Sequence, residues 1–333
     1  MNINKIAELA GVSNATVSRY LNGGSVSRKT GERIQRIIEE TGYKPSISAR
    51  MMRTGQSNYI GVIVPKINSE SVSRMMDGLT EVLNNQGYEV LLGNANQSME
   101  KELCFLDLFK QREMAGLVLF GTIVSREHVE MLKSLKMPVV ILGQSIQGFS
   151  CVYFDDYHAA YDLTECLLKK EVKRFAYIGV TNQDVAAGQM RRKGMLEALK
   201  AHHYPLEEMV CAEAVFSVPS GYECMRRLYE RYPDVDAVFC STDSIAAGAM
   251  MYLRDHGISV PETVRITGIG HDQKSDIIMP QLTTADYYYC SSGREAASIL
   301  LDLIRNWKDG VTTRELKLGY ELLERGSTGN DRK

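Results

Sequence analysis

Residues 6–22 read IAELAGVSNATVSRYLN, and this stretch decides the fold of the first part of the chain. Ile6, Leu9 and Ala10 form an apolar stripe if the segment is helical. Gly11 then allows a sharp change of direction, because glycine adopts backbone angles that other residues avoid. The pattern therefore predicts a short helix that ends in a tight turn.

A second helix is predicted directly after this turn. Ser13 can cap it, because a serine hydroxyl accepts a hydrogen bond from a backbone N–H of the first helical turn. Val17 and Leu21 are four residues apart and would face the first helix. The side chains left outward are small or polar, with one arginine among them: Asn14, Ala15, Thr16, Ser18 and Arg19.

A third helix would complete a small core. Ser27 and Thr30 predict its start, and Ile34, Ile37 and Ile38 supply its buried face. A helix-turn-helix whose second helix exposes hydroxyls, an amide and an arginine suits the major groove of DNA, where such groups meet base edges and phosphates. An ordinary three-helix bundle with a solvated polar face is the alternative.

The segment after this bundle has a composition suited to the minor groove. Residues 46–53 follow Pro45 and could form a marginal helix that is stable only against a surface. Within them, Met52 is flanked by Arg50 and Arg53. In a minor groove the apolar side chain would unstack a base step and the arginines would neutralise phosphates.

Charge is distributed unevenly along the 333 residues. The whole chain has a formal net charge of −2, which by itself argues against a nucleic-acid partner. Residues 1–58, however, carry nine Lys and Arg against four Asp and Glu, so this part is +5 and the remainder is −7. The sequence therefore predicts a small basic head on a larger acidic body.

The body has the pattern of an α/β protein. After Asn58, short apolar runs alternate with amphipathic stretches, beginning with 59–64 and 72–83. This alternation predicts a parallel β-sheet covered by helices on both sides. The body is long for one sheet, which favours two lobes with a small-molecule cleft at the carboxyl ends of the strands.

Several classes of function are disfavoured by missing motifs. The seven cysteines include no C-x-x-C pair and are interpreted as reduced core residues, and no apolar run is long enough to span a membrane. Phosphate-binding loops, nucleophile elbows and zinc-protease motifs are absent. We therefore expect a cytoplasmic protein that is no enzyme and needs neither cofactor nor metal. Enzymatic acid–base chemistry at Asp155 and Asp156 is the alternative.

Six stretches of the first part carry a family resemblance: IAELAGVS (6–13), TVSR (16–19), LN (21–22), VS (26–27), GYKP (42–45) and AR (49–50). Together they resemble the DNA-binding head and hinge of the lactose-repressor (LacI/GalR) family. The resemblance implies that the second helix reads the major groove and that the hinge enters the minor groove at the operator centre. The implied DNA-binding residues are Ser13, Asn14, Ala15, Thr16, Ser18, Arg19, Asn22, Ala49, Arg50 and Met52.

The resemblance continues through the body, at 152–156, 191–194, 216–222, 240–249, 280–284 and 321–328. It implies a two-lobed body like a type I periplasmic binding protein, with three chain crossings between the lobes and side-by-side dimerisation. The implied parts are a head (1–45), a hinge (46–58) and a body (59–333) with an N-lobe (about 59–157 and 287–318) and a C-lobe (about 158–286 and 319–333).

Mapping the family's pocket onto this chain implies an effector site in the cleft. Arg191 corresponds to the family arginine that grips hydroxyls or an anionic group, although by itself it would be taken for part of a solvated helix face. Phe216 falls where the family stacks an aromatic ring on the ligand, with core packing as the alternative. The full set is Lys66, Asn68, Gln144, Phe149, Arg191, Phe216, Thr242, Asp243, His271, Tyr287 and Tyr289.

One departure from the family concerns the effector. Gly270 stands where most relatives carry an acid that binds ligand hydroxyls, unless His271 or Asp272 substitutes for it. The loop at 23–25 is also shorter than usual, and the hinge has methionine where leucine is common. Trehalose repressors, a branch of the family, share the missing acid and the methionine. The expected effector is a disaccharide or its 6-phosphate, with Lys66 and Arg191 as partners of the anion.

The sequence thus predicts a homodimeric transcription repressor of a carbohydrate-use operon. Its expected partners are double-stranded operator DNA and a small sugar-like effector, with no membrane. A cytoplasmic sugar-binding protein or a sugar-acting enzyme of similar fold is the alternative.

Overall fold

The computed structural model of the chain describes residues 3–21, 24–41, 57–307 and 312–329. The chain divides into two compact units, Met1–Asn58 and Tyr59–Lys333. Within the described ranges, no helix is both long and apolar enough to cross a membrane.

The first unit contains three helices: α1 (Ile3–Ala10), α2 (Asn14–Leu21) and α3 (Arg28–Thr41). Gly11, in the turn between α1 and α2, has a φ of +57°, a conformation that favours glycine. The predicted helix-turn-helix is therefore present. Its buried core consists of Ile6, Ala7, Ala10, Val17 and Ile34.

Leu9 departs from the predicted apolar stripe of α1. It is 49% exposed, whereas Ala7 is buried. Residues three and four apart share a helix face, so Ala7 and Ala10 face the core with Ile6 while position 9 is turned away. The small alanines let α1 approach its neighbours closely.

Serine hydroxyls cap the two later helices of this unit. Ser13 Oγ accepts a hydrogen bond from the Thr16 N–H at 3.2 Å. Ser27 Oγ accepts one from the Thr30 N–H at 3.4 Å. Each hydroxyl is a second acceptor for an N–H of the first helical turn, which also donates to the carbonyl oxygen of the same serine.

The second unit alternates strands and helices. Its strands are β1 (Tyr59–Val64), β2 (Glu89–Asn94), β3 (Gly116–Phe120), β4 (Val139–Leu142), β5 (Ser150–Phe154), β6 (Phe175–Gly179), β7 (Val210–Glu213), β8 (Ala237–Cys240), β9 (Arg265–Thr267), β10 (Thr284–Asp286), β11 (Glu315–Leu318) and β12 (Glu321–Leu323). Its helices are α4 (Glu70–Asn85), α5 (Met99–Gln111), α6 (Arg126–Lys133), α7 (Asp156–Leu168), α8 (Arg191–Ala201), α9 (Val218–Arg231), α10 (Asp243–Asp255), α11 (Gln273–Ile277) and α12 (Tyr289–Asn306). A π-helical turn, Val185–Met190, leads into α8.

Two parallel sheets form the centres of two lobes. The N-lobe sheet has the order β2-β1-β3-β4-β5-β11, and the C-lobe sheet has the order β7-β6-β8-β9. In both sheets the strand order reverses beside the first strand, β1 or β6. Ligands of open α/β sheets bind at the carboxyl ends of strands beside such a reversal.

Strand β1 illustrates why the sequence forms buried parallel strands. Its side chains alternate between two apolar clusters, with Ile60, Val62 and Val64 in one and Ile63 in the other. Both faces of the strand are therefore covered, so the segment reads as a continuous apolar run.

The chain passes between the lobes three times. It leaves the N-lobe after β5 to form α7, which packs against β8 and β9 of the C-lobe. It returns after β10 to form α12, which packs against α4 and β4. It leaves again after β11, and β12 then pairs antiparallel with β10.

Two glycines allow α4 and α12 to pack backbone against backbone. A Cβ atom at Gly78 of α4 would lie 1.9 Å from the carbonyl oxygen of Cys290. A Cβ atom at Gly293 of α12 would lie 1.9 Å from the carbonyl oxygen of Met75. Such distances are far inside van der Waals contact, and neither obstacle is a movable side chain.

We expect Gly78→Ala to lower the free energy of unfolding by about 2 kcal/mol or more, because the helices must separate to admit the methyl group. This cost exceeds the gain of up to about 1 kcal/mol from replacing a helical glycine by alanine. Urea denaturation measures the effect. Gly319→Ala is the matched control, since a Cβ there has nothing within 4 Å; equal stability of the two variants would contradict the close approach.

Candidate functional site

The outward surface of α2 carries the predicted DNA-binding side chains that the structure describes. Ser13, Asn14, Ala15 and Arg19 are exposed, and Thr16 and Ser18 are half-buried. Hydroxyls, an amide, a methyl group and a guanidinium therefore lie on and around one helix face, and these groups match the donors, acceptors and thymine methyls of a major groove. The other predicted residues, Asn22, Ala49, Arg50 and Met52, lie outside the described residues.

The second unit has two adjoining cavities between its lobes. The first, of about 360 Å³, is lined by residues that follow β1, β3, β4, β6 and β7. The second, of about 290 Å³, is lined by residues that follow β1, β7, β8 and β9 and by Tyr289. Both cavities thus lie at the carboxyl ends of the strands, where the topology places a ligand site.

An interlobe hydrogen bond lies where the two cavities meet. Lys66, which follows β1, and Phe216, which follows β7, line both cavities. Lys66 Nζ donates to the carbonyl oxygen of Phe216 at 2.7 Å. Burial lowers the pKa of Lys66, and the nearby charge of Lys274 lowers it further. The lysine is thus in contact with both lobes.

Six of the predicted effector residues line these cavities, and they come from both lobes. Lys66 and Phe216 line both, and the rest line the second. The six are Lys66, Asn68, Phe216, Thr242, Asp243 and Tyr289.

Asp243 is the most deeply buried acid of the second cavity. It begins α10, and its carboxylate accepts hydrogen bonds from the Asp272 N–H at 3.0 Å and from the Thr284 hydroxyl at 2.6 Å. Burial, together with the charge of Asp272, raises the pKa of Asp243 to about 7. Its charge in the cleft therefore changes near neutral pH.

Arg191 is not in the wall of either cavity. Its guanidinium is buried, and its Nε donates to Asp156 Oδ1 at 2.7 Å. Tyr287 is also buried away from both cavities and donates its hydroxyl proton to the same oxygen at 2.9 Å. Arg191 and Tyr287 are thus brought together around Asp156 rather than around an open space.

His271 also points away from the cavities. Its Nδ1 lies 2.8 Å from Asp286 Oδ2, and its Nε2 lies 3.2 Å from Asp276 Oδ1 and 3.1 Å from Arg325 Nη2. The ring is committed to this charged cluster, which Arg74 extends through a hydrogen bond to the His271 carbonyl oxygen. The His271 ring therefore lies outside both cavities, whereas Asp272 lines the second cavity.

Gln144 and Phe149 lie behind the cleft and not in it. Gln144 is buried, and its Nε2 donates to the Thr122 carbonyl oxygen at 2.8 Å. Phe149 packs into an apolar cluster with residues such as Leu119 and Ile141. Neither side chain lines the two cavities: one supports a cavity loop and the other is part of the core.

Comparisons with known proteins agree with both units. Residues 2–46 match the model for bacterial regulatory proteins of the lacI family, and residues 164–328 match a periplasmic binding protein-like domain. The sucrose operon repressor of Staphylococcus xylosus is 32% identical over 305 residues, which is 92% of this chain and 94% of that protein.

The chain belongs to the LacI family of bacterial regulatory proteins.

Other LacI-family proteins extend the agreement. The HTH-type transcriptional regulator TreR of Salmonella typhimurium is 31% identical, over 91% of this chain and 94% of that protein. The solved structure of a transcriptional regulator CelR–cellobiose complex is 27% identical and has a TM-score of 0.73, over 98% of this chain and 99% of the other. As a member of this family, the protein is a DNA-binding transcription regulator and not an enzyme.

Two acidic residues of the cleft were not among the predicted effector residues. Glu102 and Asp184 are buried, yet both line the first cavity. Glu102 lies on the buried stripe of α5 with Leu106 and Phe109, and an acid at such a position is a signal in the sequence. Asp184 caps the π-helical turn by accepting a hydrogen bond from the Ala187 N–H at 2.8 Å, and no pattern predicted that turn.

No group of His, Cys, Asp and Glu side chains in the described ranges is arranged to hold a metal ion. The free cysteines include buried residues such as Cys240, whose thiol pKa is raised by burial.

The raised pKa of Asp243 predicts a pH-dependent stability. Between the ordinary value of 3.8 and about 7, the folded chain holds a proton that the unfolded chain releases. The free energy of unfolding should therefore fall as pH rises through this window and level off above it. Between pH 5 and pH 7 the change attributable to Asp243 is of the order of 3 kcal/mol.

Chemical denaturation of the wild type and of Asp243→Asn from pH 5 to pH 8 measures this change. Asparagine does not titrate, so the stability of the wild type relative to the variant should decline with rising pH. A difference between the two proteins that stays constant over this range would refute the assignment.

Proposed function

We propose that this regulator is a homodimeric repressor of carbohydrate-use genes, controlled by a sugar or sugar phosphate bound between the lobes of its body. Residues 1–45 would bind one half of a pseudo-palindromic operator, and residues 46–58 would act as the hinge in the minor groove. Residues 59–333 would bind the effector and pair with a second copy, with the lobes divided at about residues 157, 287 and 318. The protein would act in the cytoplasm, where its operator is accessible.

The exposed face of α2 is the observation that carries the DNA-binding part of this proposal. Asn14 and Arg19 are exposed on it, beside Ala15, while Val17 fixes the opposite face in the core. A helix held in this way presents its polar face as a rigid unit, which is how a recognition helix enters the major groove.

The first cavity supports the effector part. Its volume of about 360 Å³ lies within the usual range of small-molecule sites. Its lining mixes apolar side chains such as Phe216 with hydroxyl and amide groups such as Ser69 and Gln97, a combination that suits a sugar ring. The similar proteins include a sucrose operon repressor and a regulator solved in complex with cellobiose. Both sugars are disaccharides, which favours a disaccharide or its 6-phosphate as the effector of this chain.

Contacts across the cleft supply a route from effector to DNA. Besides the bond from Lys66, Glu70 Oε1 accepts a hydrogen bond from the Gln273 N–H at 2.7 Å, and Arg74 Nη1 donates to the His271 carbonyl oxygen at 2.7 Å. Residues 66, 70 and 74 follow one another at intervals of four. An effector that changes the separation of the lobes must stretch or shorten this row of contacts. Its binding is thereby coupled to the geometry of the body and, by linkage, to DNA affinity.

Apolar residues left exposed support pairing with a second copy of the chain. Ile277 and Met279 of the C-lobe are 75% and 74% exposed, and Leu92 of the N-lobe is 47% exposed. Clustered apolar surface marks interaction sites, and Ile277 and Met279 lie only two residues apart. The presence of exposed apolar residues on both lobes agrees with side-by-side dimerisation.

A combined binding experiment tests the proposal. Thermal shift with sucrose, cellobiose, trehalose and their 6-phosphates identifies an effector, because a ligand at ~100 times its Kd adds roughly 2.7 kcal/mol of stability. The operator selected from random DNA is then titrated with and without that sugar. No shift with any sugar, together with operator binding that no sugar alters, would refute the effector part of the proposal.

We expect Arg19→Ala to weaken binding to the selected operator by about tenfold and to relax its sequence preference, because one arginine contact to a base edge is worth ~1–3 kcal/mol. Competition between matched and mismatched operators measures the preference. Arg28→Ala is the control, since Arg28 is a highly exposed arginine at the start of α3 and its loss removes the same charge. Equal loss of preference in both variants would count against a reading role for Arg19.

A further inference from the structure

A buried glutamate in the wall of the first cavity calls for an explanation beyond packing. The Glu102 side chain is 6% exposed and lies on the apolar stripe of α5. Burial of a carboxylate is costly unless other groups compensate for the lost water. Since Glu102 also lines the cavity, a ligand there is one such group.

His128 is the protein group that holds Glu102. Its ring is fully buried, and its Nε2 lies 3.1 Å from Glu102 Oε2, although the contact is not aligned as a hydrogen bond. The other ring nitrogen, Nδ1, accepts a hydrogen bond from the Ser125 N–H at 3.3 Å as part of the capping box of α6. A backbone N–H can only donate, so Nδ1 carries no proton and Nε2 carries it.

This arrangement has one consequence for the cavity. His128 Nε2 lies beside Glu102 Oε2, which limits the movement of the carboxylate and leaves its other oxygen for a ligand.

The other charges of the first cavity add to the negative charge of Glu102. Asp184 faces the cavity from the C-lobe, and Glu213 lines its rim. Among the described lining residues Lys66 is the one cation, and its ammonium group is already bonded to the Phe216 carbonyl oxygen. Much of the wall between these groups is apolar, with side chains such as Val72, Met75 and Phe120, which weakens the screening of charge.

Lys274, which lines the second cavity, does not offset the negative charge of the cleft. Lys274 Nζ lies 2.9 Å from Asp272 Oδ2 and 3.6 Å from Glu70 Oε2. An anion would have to compete with these carboxylates for the lysine.

We propose that Glu102, oriented by His128, is the residue that selects a neutral sugar over a phosphorylated one. The carboxylate accepts a hydrogen bond from a sugar hydroxyl in the first cavity, and its charge repels a phosphate group there. This inference rests on the proposed effector site and assigns the chemistry of its ligand.

Isothermal titration of the full chain with each disaccharide and its 6-phosphate tests the inference. The wild type should bind a neutral disaccharide more tightly than its 6-phosphate. Glu102→Gln keeps the shape and removes the charge. It should weaken binding of the neutral sugar by about tenfold or more, since a hydrogen bond to a charged group is lost. Binding of the 6-phosphate should not weaken, so the Kd values of the two sugars should become more similar.

Glu100→Gln is the matched control, because Glu100 lies on the same helix, lines neither cavity and is exposed to solvent that screens its charge. It should leave the ratio within about twofold of the wild type, as expected for a solvated charge. A wild type that prefers the 6-phosphate, or a Glu102→Gln variant with an unchanged ratio, would overturn the inference while leaving the effector site in place. Failure of every sugar to bind the wild type would instead refute the proposed function.

Two substitutions of His128 test whether this residue orients the Glu102 carboxylate or only stabilises the fold. His128→Gln retains a donor that can reach Glu102, whereas His128→Leu removes it at similar volume. Discrimination between neutral and phosphorylated sugar should survive in the glutamine variant and diminish in the leucine variant. Equal discrimination in two variants that both melt cooperatively would show that His128 does not position Glu102.

Discussion

The body of this protein depends on a buried ion pair where the chain crosses between its lobes. Asp156 begins α7 just after the first crossing, and Arg191 begins α8. Tyr287, just after β10 on the second crossing, bonds to the same carboxylate oxygen as Arg191. Removal of one member would leave a buried charge without a partner, at a cost of ~3–5 kcal/mol. The pair thus joins two crossings at one point, and any relative motion of the lobes has to take place around it.

This constraint explains why Arg191 lies outside the walls of both cavities. A guanidinium buried among Asp156 and the Tyr287 ring has its charge satisfied within the protein. The residues that do line the cleft are those that directly follow strands, such as Lys66 and Thr242. Their place was predictable because the carboxyl ends of parallel strands determine where the following residue lies. The position of a long charged side chain was not, because it depends on which counter-charge the fold brings near.

Prediction of the fold from sequence succeeded where burial on both faces forces an apolar run. Strand β1 begins and ends as expected at Tyr59–Val64, since every residue after Tyr59 in it is buried. The pattern gave no sign of β7 and β11, whose side chains alternate between buried or half-buried and exposed positions at the edges of their sheets. Glu102 was missed for a related reason. A single acid on an apolar stripe is easily taken for a solvated position, and only the packing of α5 against His128 shows that it is buried.

The contact between Lys66 and Phe216 uses the main chain of one partner, and this has an evolutionary consequence. The acceptor is the carbonyl oxygen of Phe216, which every amino acid provides, whereas the aromatic ring of the same residue lines both cavities. Mutation at position 216 can therefore change which molecule the cleft accepts without removing the bond that spans it. Ligand specificity and the contact between the lobes can therefore change independently at one position, so a lineage of such regulators can acquire new effectors while it keeps the same interlobe bond.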